Sequence, residues 1–420
     1  MRMFNPLTPE KALTLTLKSL RLQPQTEEIK ITEAYGRVLS ENLRSPIDVP
    51  ERHLAFFDGY AVKTSDLKEA SKKKPVKLRV SGKIGLQTAC VPRLKSGETF
   101  EVCTGAPMPL GADAVIPLEK VMREGEHVLV GQPVEPWSYV IRKGKDFIRG
   151  TLLLKAGCRL RSHHLSLLYK LRIKKVKVYR KPKVALLSVG SELTDIFQED
   201  EPEKYPASHS ILLEKLVEEA GGQPENLGVF LDDVEALKRA LEEALKAYDI
   251  VVTMGGSSVG ERDLVAEAVE LLGEPGIIVN GLKVRPGAAT RLGVINGKPI
   301  VLIPGLIQSA IIGFHFLLRP IILYLTGLNP HRDKPAVKAK LRRRLPARLE
   351  GGFKRVHFVR LIEGGKGFEA EPLTGESFLF SPTVKASGYI VPEGNRAYLP
   401  AGSLVNVYLL PGLYALGETA

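Results

Sequence analysis

The sequence predicts a multidomain α/β plus β protein: a doubly wound, mostly parallel α/β domain, an inserted β-rich domain and a small C-terminal β barrel. Three observations predict this class. Residues 183–327 alternate apolar strands with amphipathic helices, the pattern of a parallel sheet covered on both faces. Residues 46–147 consist of short β-like runs broken by Gly and Pro. Residues beyond 330 alternate apolar and polar side chains with a period of two.

Composition narrows the class of protein. The 420 residues are 44% hydrophobic and 25% charged, with a formal net charge of +13. This length corresponds to about two to four domains, and the composition excludes a disordered chain. The three cysteines are far apart and form no CxxC pair, so neither a disulfide framework nor a structural zinc site is predicted.

Several function classes lose support from the sequence. No apolar run reaches the ~18 residues that cross a bilayer, and the N-terminus lacks the apolar core of a signal peptide, so we expect a cytoplasmic protein without a membrane partner. Only 6% of residues are aromatic and no nucleic-acid-binding motif occurs, so nucleic acid is not expected as a partner. Asn and Gln together number 15, which beside abundant Lys, Glu and Arg fits a protein from a thermophile.

The elements before residue 181 are predicted in three segments. Residues 1–45 are expected to be largely helical, since Pro9-Glu10 can open a helix and leucines crowd the residues that follow. Residues 46–147 form the β-rich insertion. Residues 148–180 return to a helical pattern around His163–Leu171.

The α/β domain is predicted over residues 181–327 and the barrel over 328–420. In the α/β domain, the predicted strands are Lys183–Val189, Leu227–Leu231, Asp249–Met254, Ile277–Val284 and Pro299–Ile303, and the predicted helices are Ile211–Ala220, Val234–Ala247, Leu264–Leu272 and Ile307–Leu325. Ligands of such sheets bind beyond the carboxyl ends of the strands. The residues that follow each strand are therefore the candidates for a site.

The first candidate loop is Met254–Asp263, directly after an apolar strand and before a helix. Glycines let the backbone approach a bulky anion, and the following helix start offers free N–H groups. Neither a GxGxxG nor a Walker-A motif is present, so the usual dinucleotide and P-loop sites are not predicted. Asp263 is either a site residue or only a helix N-cap. The candidate ligand-binding residues here are Gly255, Gly256, Ser257, Ser258 and Gly260.

Further strand ends open onto the same predicted crevice. Glu192 follows the first strand of the sheet, and Asp232 follows the second. Residues that would suit a phosphate group occur at the others: the cations Lys283 and Arg285, the glycines Gly287 and Gly305, and Pro304, which makes a rigid turn at a helix start. Carboxylates beside phosphate-binding loops would hold Mg²⁺, which prefers oxygen ligands, although Asp232 could instead serve the cap of the next helix.

Two aspartates outside the α/β domain are also candidates. Asp58 stands among Phe56, Phe57 and Tyr60, and a carboxylate is costly to bury among aromatic rings without a partner. Asp146 is flanked by cations, so a plain salt bridge is the alternative to a site role.

Taken together, the segments resemble the molybdopterin molybdenumtransferases, the MoeA family, which are similar to the gephyrin E domain. The resemblance covers nearly the whole chain in one order. It runs through Glu33–Arg37, Ile47–Pro50, Asp58–Ala61, Thr104–Pro107, Gly111–Val115, Arg142–Asp146, Gly157–Leu160, Gly255–Asp263, Arg285–Gly287 and Ile303–Gly305.

The resemblance implies a function and an assembly. It implies an elongated homodimer in which residues 1–45 and 148–180 form the dimerisation segment. The family reaction takes adenylylated molybdopterin and molybdate, or tungstate, cleaves the pyrophosphate with Mg²⁺, inserts the metal into the dithiolene and releases AMP. A molybdopterin adenylyltransferase and acceptor molybdoenzymes are the implied partners.

The resemblance also assigns roles to residues of this chain. Asp58, Asp146 and Asp263 would be catalytic, and Glu192, Asp232 and Asp263 would bind the metal. Lys283 and Arg285 would contact phosphate or molybdate. Arg355 and Ser377 match positions that face a partner subunit's cleft.

The chain departs from the family pattern inside the expected pocket. Ala55-Phe56-Phe57 replaces Ser-Ala-Met, His209 stands where Asn is expected, and Ala288-Ala289 and Leu306-Ile307 replace polar or Pro-containing pairs. These changes leave open a working transferase with altered oxyanion preference and a paralogue that binds molybdopterin without catalysis. An adenylyltransferase-like nucleotide enzyme built on residues 183–327 is a third possibility.

Overall fold

The computed structural model describes residues 4–197, 201–256, 263–331, 335–365, 367–394 and 396–410. It contains two compact units. The first comprises Met1–Ser40, Arg159–Arg161 and Lys175–Ala420, and the second comprises Glu41–Cys158 and Ser162–Lys174. The α-helices of the described residues are α1 (Pro9–Ser19), α2 (Ser162–Lys170), α3 (His209–Ala220), α4 (Val234–Ala247), α5 (Leu264–Leu271), α6 (Ile307–Gly313), α7 (Arg319–Leu325) and α8 (Ser381–Val384).

The strands fall into two stretches of the chain. Up to residue 180 they are β1 (Thr26–Lys30), β2 (Leu43–Arg44), β3 (Leu54–Ala55), β4 (Gly59–Val62), β5 (Val76–Ile84), β6 (Glu98–Val102), β7 (Ala114–Pro117), β8 (Met122–Glu124), β9 (His127–Val130), β10 (Val140–Ile141), β11 (Leu152–Leu154) and β12 (Lys175–Tyr179). Beyond it they are β13 (Lys183–Val189), β14 (Leu193–Thr194), β15 (Tyr205–Pro206), β16 (Gln223–Phe230), β17 (Ile250–Gly255), β18 (Pro275–Asn280), β19 (Val284–Arg285), β20 (Arg291–Ile295), β21 (Lys298–Ile303), β22 (Ala336–Leu341), β23 (Leu345–Pro346), β24 (Lys354–Arg355), β25 (His357–Gly364), β26 (Gly367–Pro372), β27 (Gly388–Ile390), β28 (Tyr398–Leu399) and β29 (Leu404–Leu409).

The second unit is β-rich, as predicted for the insertion. Its main sheet has six strands in the order β7-β4-β6-β5-β9-β8. Apolar side chains of these strands form two clusters of buried residues, one around Phe100 and Val115 and the other around Tyr60 and Val128. Strand β4 is buried along its whole length because it pairs on both sides and its side chains pack in both clusters, Ala61 in the first and Tyr60 and Val62 in the second.

The largely helical character expected for residues 1–45 and 148–180 is wrong for most of both segments. Among the described residues of these segments, α1 and α2 are the only α-helices, and β1 pairs antiparallel with β12. Thr26–Lys30 alternates exposed and half-buried positions, the period of a half-buried strand. The prediction missed this because a five-residue strand carries little periodicity of its own and depends on its partner, which lies about 150 residues away.

The predicted α/β domain is confirmed. Six strands form a sheet in the order β16-β13-β17-β21-β20-β18. Strands β13, β16, β17 and β21 run parallel. Buried residues cluster on both faces of this sheet, with α3 and the helix that begins at Ile307 on one face and α4 and α5 on the other. The carboxyl ends of β13, β16, β17 and β21 therefore share one edge of the domain.

The sheet contains an antiparallel hairpin that the sequence analysis did not identify. Strands β20 and β21 are joined by Asn296-Gly297, and both residues have positive φ, 52° and 78°. This is the backbone conformation of a type I′ turn, for which Asn-Gly is the preferred pair. The Asn-Gly pair in the sequence is thus a signal for this hairpin. Its first strand, β20, is buried and begins at Arg291.

The C-terminal region is a closed barrel of β22-β26-β25-β27-β29, which confirms the predicted small barrel. It is tied to the α/β domain by the parallel pair β19–β24, in which Arg285 is opposite Arg355. One helix of the described residues, Ile307–Leu325, with a π-helical turn between α6 and α7, is long and apolar enough to cross a membrane, and 89% of its apolar 18-residue window is buried inside the protein. Such burial is that of a core helix.

Candidate functional site

A cleft of about 880 Å³ lies at the carboxyl ends of the parallel strands, where the sequence predicted the crevice. The α/β domain and the barrel both contribute to its wall. Among the residues that the structure describes, those lining it include Glu192, Asp232, Gly255, Gly256, Arg285, Gly287, Ala288, Ala289, Pro304, Gly305, Leu306, Gln308, Arg355, His357 and Ser377.

The acidic residues that line the cleft are Glu192 and Asp232, at the strand ends, and Glu376, in the barrel loop, and all three are exposed. Asp232 is held in place by Ser191: its Oδ2 accepts a hydrogen bond from the Ser191 amide at 2.9 Å, and its own amide donates to Ser191 Oγ at 3.2 Å. The two loops that follow β13 and β16 are thereby fastened together. Asp233, not Asp232, caps α4, with Oδ1 accepting from the Ala236 amide at 2.6 Å.

The cationic part of the cleft is formed by Arg285 and Arg355. They are opposite each other in the β19–β24 pair, and both are exposed. The Arg285 guanidinium lies over the Phe353 ring, 5.0 Å from its centroid, which restricts the conformation of that side chain. Two forked donors on neighbouring strands, one of them stacked on a ring, suit a phosphate or another oxyanion.

Arg355 and Ser377 line the cleft of their own chain, and the partner-facing role that the resemblance implies for them stays a prediction. Gln308 supports this arrangement: its Nε2 donates to the Glu376 carbonyl at 2.8 Å, and its amide donates to the Ser377 carbonyl at 3.2 Å. The barrel loop is thus anchored to the start of α6. Leu306 replaces the polar residue of the family pattern, but a side-chain amide is present two residues later, at Gln308.

Two glycines at the strand ends lie close to other groups of the site. Gly255 has φ of +89°, and a Cβ there would lie 2.4 Å from the Val189 carbonyl oxygen. A Cβ at Gly190 would lie 2.7 Å from Glu192 Oε1. A side chain at position 190 would therefore push the flexible carboxylate of Glu192 away from the end of β13, whereas one at position 255 would meet rigid backbone.

Asp263 is buried and takes part in contacts within the domain. Its Oδ1 accepts from the Ala266 amide at 2.9 Å, so it is the N-cap of α5, and its Oδ2 pairs with Arg291. Both residues are at most 5% exposed, and burial lowers the pKa of the Arg291 guanidinium. Asp263 is not among the residues that line the described cleft. Its catalytic and metal-binding roles stay predictions that would require Arg291 to be displaced.

The predicted metal set of Glu192, Asp232 and Asp263 is not assembled. No group of three or more His, Cys, Asp or Glu side chains that could hold a metal ion occurs within the described ranges. The physical reason is that Arg291 neutralises Asp263 inside the domain, while Glu192 and Asp232 face the cleft. Ser257, Ser258 and Gly260 lie outside the described residues. Lys283 is half-buried and does not line the described cleft.

His357 adds an imidazole to the cleft. Its Nε2 donates to the Pro346 carbonyl at 2.6 Å. Burial lowers the pKa of His357, the positive charge of Arg355 lowers it further, and the hydrogen bond to Pro346 opposes both. The side chain is thus kept neutral near pH 7.

Asp58 and Asp146 belong to the second unit, and both are exposed. Asp58 is not buried among its aromatic neighbours, as its surroundings in sequence had suggested. Its Oδ1 accepts from the Thr104 amide at 2.6 Å and from Thr104 Oγ1 at 2.9 Å. These bonds, and weakly the charge of Lys83, hold the pKa of Asp58 below its usual range. Asp146 lines a separate cleft of about 640 Å³ in that unit, together with Asp48 and Arg52.

Comparison with known proteins shows the family of this chain. The chain matches the "MoeA N-terminal region (domain I and II)" over residues 7–171, the "Probable molybdopterin binding domain" over 185–324 and the "MoeA C-terminal region (domain IV)" over 338–410. It is 32% identical to a protein of Methanocaldococcus jannaschii named for molybdopterin biosynthesis, with 92% of each chain covered. The chain belongs to the MoeA family.

Other MoeA relatives support the same family assignment. A molybdopterin molybdenumtransferase of Haemophilus influenzae is 30% identical, with 96% of this chain and 98% of that one covered. A crystal structure of a MoeA protein of Pyrococcus horikoshii superimposes with a TM-score of 0.85 at 34% identity, covering 96% of this chain and 99% of that chain. MoeA proteins act in molybdenum cofactor biosynthesis, and the curated relatives with an assigned activity are named as transferases.

Sequence reasoning missed two residues of this MoeA cleft, Gln308 and His357, and also Arg291, the buried partner of Asp263. Arg291 was missed because strand β20 was not predicted, although the Asn296-Gly297 turn indicates a hairpin there. Gln308 and His357 carried no local signal, since an amide in a helix and a histidine in a strand are common. Their place in the cleft depends on how the barrel packs against the α/β domain.

We predict that Thr104→Val raises the pKa of Asp58 toward its ordinary value. The substitution removes the hydroxyl bond and leaves the amide bond, so the ionised carboxylate loses part of its stabilisation. Carboxyl-carbon NMR titration measures the change. The matched control is Thr64→Val, which removes a hydroxyl from a different carboxylate, Asp113, and should leave Asp58 unchanged. An unchanged Asp58 titration in Thr104→Val would contradict the assignment.

Proposed function

We propose that this protein is a molybdopterin molybdenumtransferase. It binds adenylylated molybdopterin and molybdate or tungstate, joins the metal to the dithiolene and releases AMP. The observation that carries the proposal is the single cleft in which Arg285 and Arg355 accompany the carboxylates Glu192 and Asp232. Membership of the MoeA family supplies the chemical class of the substrate.

The arginines match the most highly charged part of that substrate. A diphosphate bridge carries its negative charge on several oxygens, and a planar guanidinium binds two of them at once. Arg285 and Arg355 would hold the bridge and stabilise the charge that develops as the AMP phosphate leaves. The neutral His357 beside them keeps its Nε2 proton on the Pro346 carbonyl, so its Nδ1 would be the atom that accepts a proton or a hydrogen bond.

The carboxylates fit a magnesium ion. Mg²⁺ is usually held by one or two carboxylates together with substrate phosphates, so Glu192 and Asp232 are sufficient without a third ligand. When bound, Mg²⁺ would neutralise charge on the phosphate oxygens. The Ser191 amide fixes the orientation of Asp232 toward the cleft, as hydrogen bonds to metal-binding carboxylates do elsewhere.

The test of the activity is AMP release. The protein is incubated with adenylylated molybdopterin, Mg²⁺ and either molybdate or tungstate, and AMP is separated by chromatography. We expect release that requires an oxyanion. Binding without release would identify a non-catalytic molybdopterin-binding paralogue. Consumption of ATP with free molybdopterin would identify an adenylyltransferase-like enzyme.

We predict that Asp232→Asn slows AMP release by at least about 10- to 100-fold, the range typical of losing even an outer-shell partner of a metal site. Raising the Mg²⁺ concentration should recover part of the rate. The neighbouring Asp233→Asn is the matched control, because that side chain caps α4 and its loss should not change the rate. Equal rates and equal Mg²⁺ dependence in Asp232→Asn and wild type would remove Asp232 from the metal site.

The remaining expectations are part of the same proposal. These are the homodimer, the cytoplasmic location, and exchange of substrate and product with a molybdopterin adenylyltransferase and acceptor molybdoenzymes. Asp58 and Asp146 remain proposed as acidic catalytic residues, and Lys283 as a contact to phosphate or molybdate. Sedimentation of the purified protein measures the oligomeric state, and Asp58→Asn tests the contribution of that carboxylate to AMP release.

A further inference from the structure

A second cavity, of about 450 Å³, adjoins the cleft. Glu192, Gly255 and Gly305 line both, so the cavity is a side pocket of the cleft. Its other described lining residues are Ser188, Val189, Leu193, Tyr205, Pro206, Ala207, Ser208, His209, Met254 and Phe380. A ligand that occupies the cleft can extend into it.

His209 is the unusual residue of this side pocket. Its Nε2 is buried and has no hydrogen-bond partner among the described residues. A buried polar atom without a partner is uncommon and destabilises the folded state unless a ligand or water satisfies it. Burial also lowers the pKa of His209, so the imidazole is neutral near pH 7 and can donate or accept one hydrogen bond.

The walls of the side pocket are apolar and partly aromatic. Val189 and Met254 are buried at its base. The large rings of Tyr205 and Phe380 are 71% and 49% exposed, and the Phe380 ring centroid lies 6.5 Å from that of His209. Ser188 and Glu192 add a hydroxyl and a carboxylate. Apolar walls with a few converging polar groups are typical of a small-molecule site.

These features discriminate between kinds of ligand. A phosphate or a metal oxyanion is disfavoured, because the side pocket offers a neutral imidazole and the negative charge of Glu192. A flat nitrogen heterocycle fits, since its faces can pack against apolar and aromatic side chains while its ring nitrogens and amino groups hydrogen-bond at the edge.

We propose that this side pocket binds the flat nitrogen heterocycle of the substrate and that His209 Nε2 hydrogen-bonds the edge of that ring. The inference rests on the proposed function, which supplies a substrate with two such rings, a pterin and an adenine. His209 then determines how the ring is positioned relative to the diphosphate held at Arg285 and Arg355.

The test measures binding of two separate probes, AMP and free pterin (2-amino-4-oxopteridine), by isothermal titration calorimetry. His209→Phe keeps an aromatic ring of similar size and removes the nitrogen, so we expect the Kd of one probe to rise about five- to tenfold, the effect of one lost hydrogen bond. His209→Asn keeps a hydrogen-bonding group and should recover most of that affinity. The probe whose binding weakens shows whether the side pocket takes the adenine or the pterin ring.

Two further variants keep the proposal falsifiable. His163→Phe, at an exposed histidine of the second unit, is the control and should change neither Kd. Phe380→Ala removes an exposed wall of the side pocket without disturbing a core, and it should weaken the same probe as His209→Phe even if the latter variant folds poorly. Unchanged affinities for both probes in His209→Phe and Phe380→Ala would overturn the proposal.

Failure of this inference and failure of the proposed function are distinguishable. Wild-type protein that releases AMP in the presence of an oxyanion, while the His209 and Phe380 variants bind both probes normally, would sustain the activity and refute the side pocket. Wild-type protein that releases no AMP, while His209→Phe selectively weakens one probe, would refute the activity and sustain the ring-binding site.

Discussion

Asp263→Asn is expected to lower the free energy of unfolding by about 3–5 kcal/mol. Asparagine can still cap α5, so the loss does not come from the helix. It comes from Arg291, whose guanidinium would remain buried without its counter-charge. Urea unfolding followed by circular dichroism at 222 nm measures the change, because most of the described helices belong to the first unit.

The controls for this prediction separate the ion pair from the cap. Asp233→Asn changes an N-cap that is exposed and is not paired with a buried cation. This substitution should lower the free energy of unfolding by less than about 1 kcal/mol. Arg291→Met combined with Asp263→Asn should recover much of the stability, since no unpaired charge is left. The single tryptophan, Trp137, lies in the second unit, so its fluorescence follows that unit separately. If Asp263→Asn lowered the free energy of unfolding by less than about 1 kcal/mol, the ion pair would contribute little to stability, and a catalytic role for Asp263 would be favoured.

The second large effect is expected at the paired arginines. Arg285→Ala and Arg355→Ala should each weaken binding of inorganic pyrophosphate by about 10- to 100-fold, because each removes a charge-assisted hydrogen bond worth about 1.5–3 kcal/mol. Lysine at either position should recover only part of the affinity, because an ammonium group cannot bind two oxygens in the same plane. Titration calorimetry at two salt concentrations measures both affinity and its electrostatic part.

Arg344→Ala is the matched control for the arginines. That side chain is also exposed and also stacks on a ring, with its guanidinium 3.9 Å from the Tyr398 centroid, but it does not line the described cleft. It should leave pyrophosphate binding unchanged. If all three alanine variants lost affinity equally, the net charge of +13 rather than the β19–β24 pair would account for anion binding.

The sequence predicted the parts of the site that depend on local patterns. Strand β13 and helix α4 have the predicted bounds, because long apolar runs and helical spacing are read within one segment. From those elements it followed that Glu192, Asp232, Gly255 and Gly305 would meet at one edge, and all four line the cleft. The short strand β1 was mistaken for part of a helical segment because its partner is distant.

What the sequence by itself determined is the alternation of strands and helices and the family to which the chain belongs. Only the tertiary structure decided which charges meet: Arg355 lies opposite Arg285, Arg291 neutralises Asp263, and His209 Nε2 is left buried beside the cleft. The physical reason is distance along the chain. Backbone conformation follows from neighbouring residues, whereas the partner of a buried charge is chosen by packing between segments that no local pattern connects.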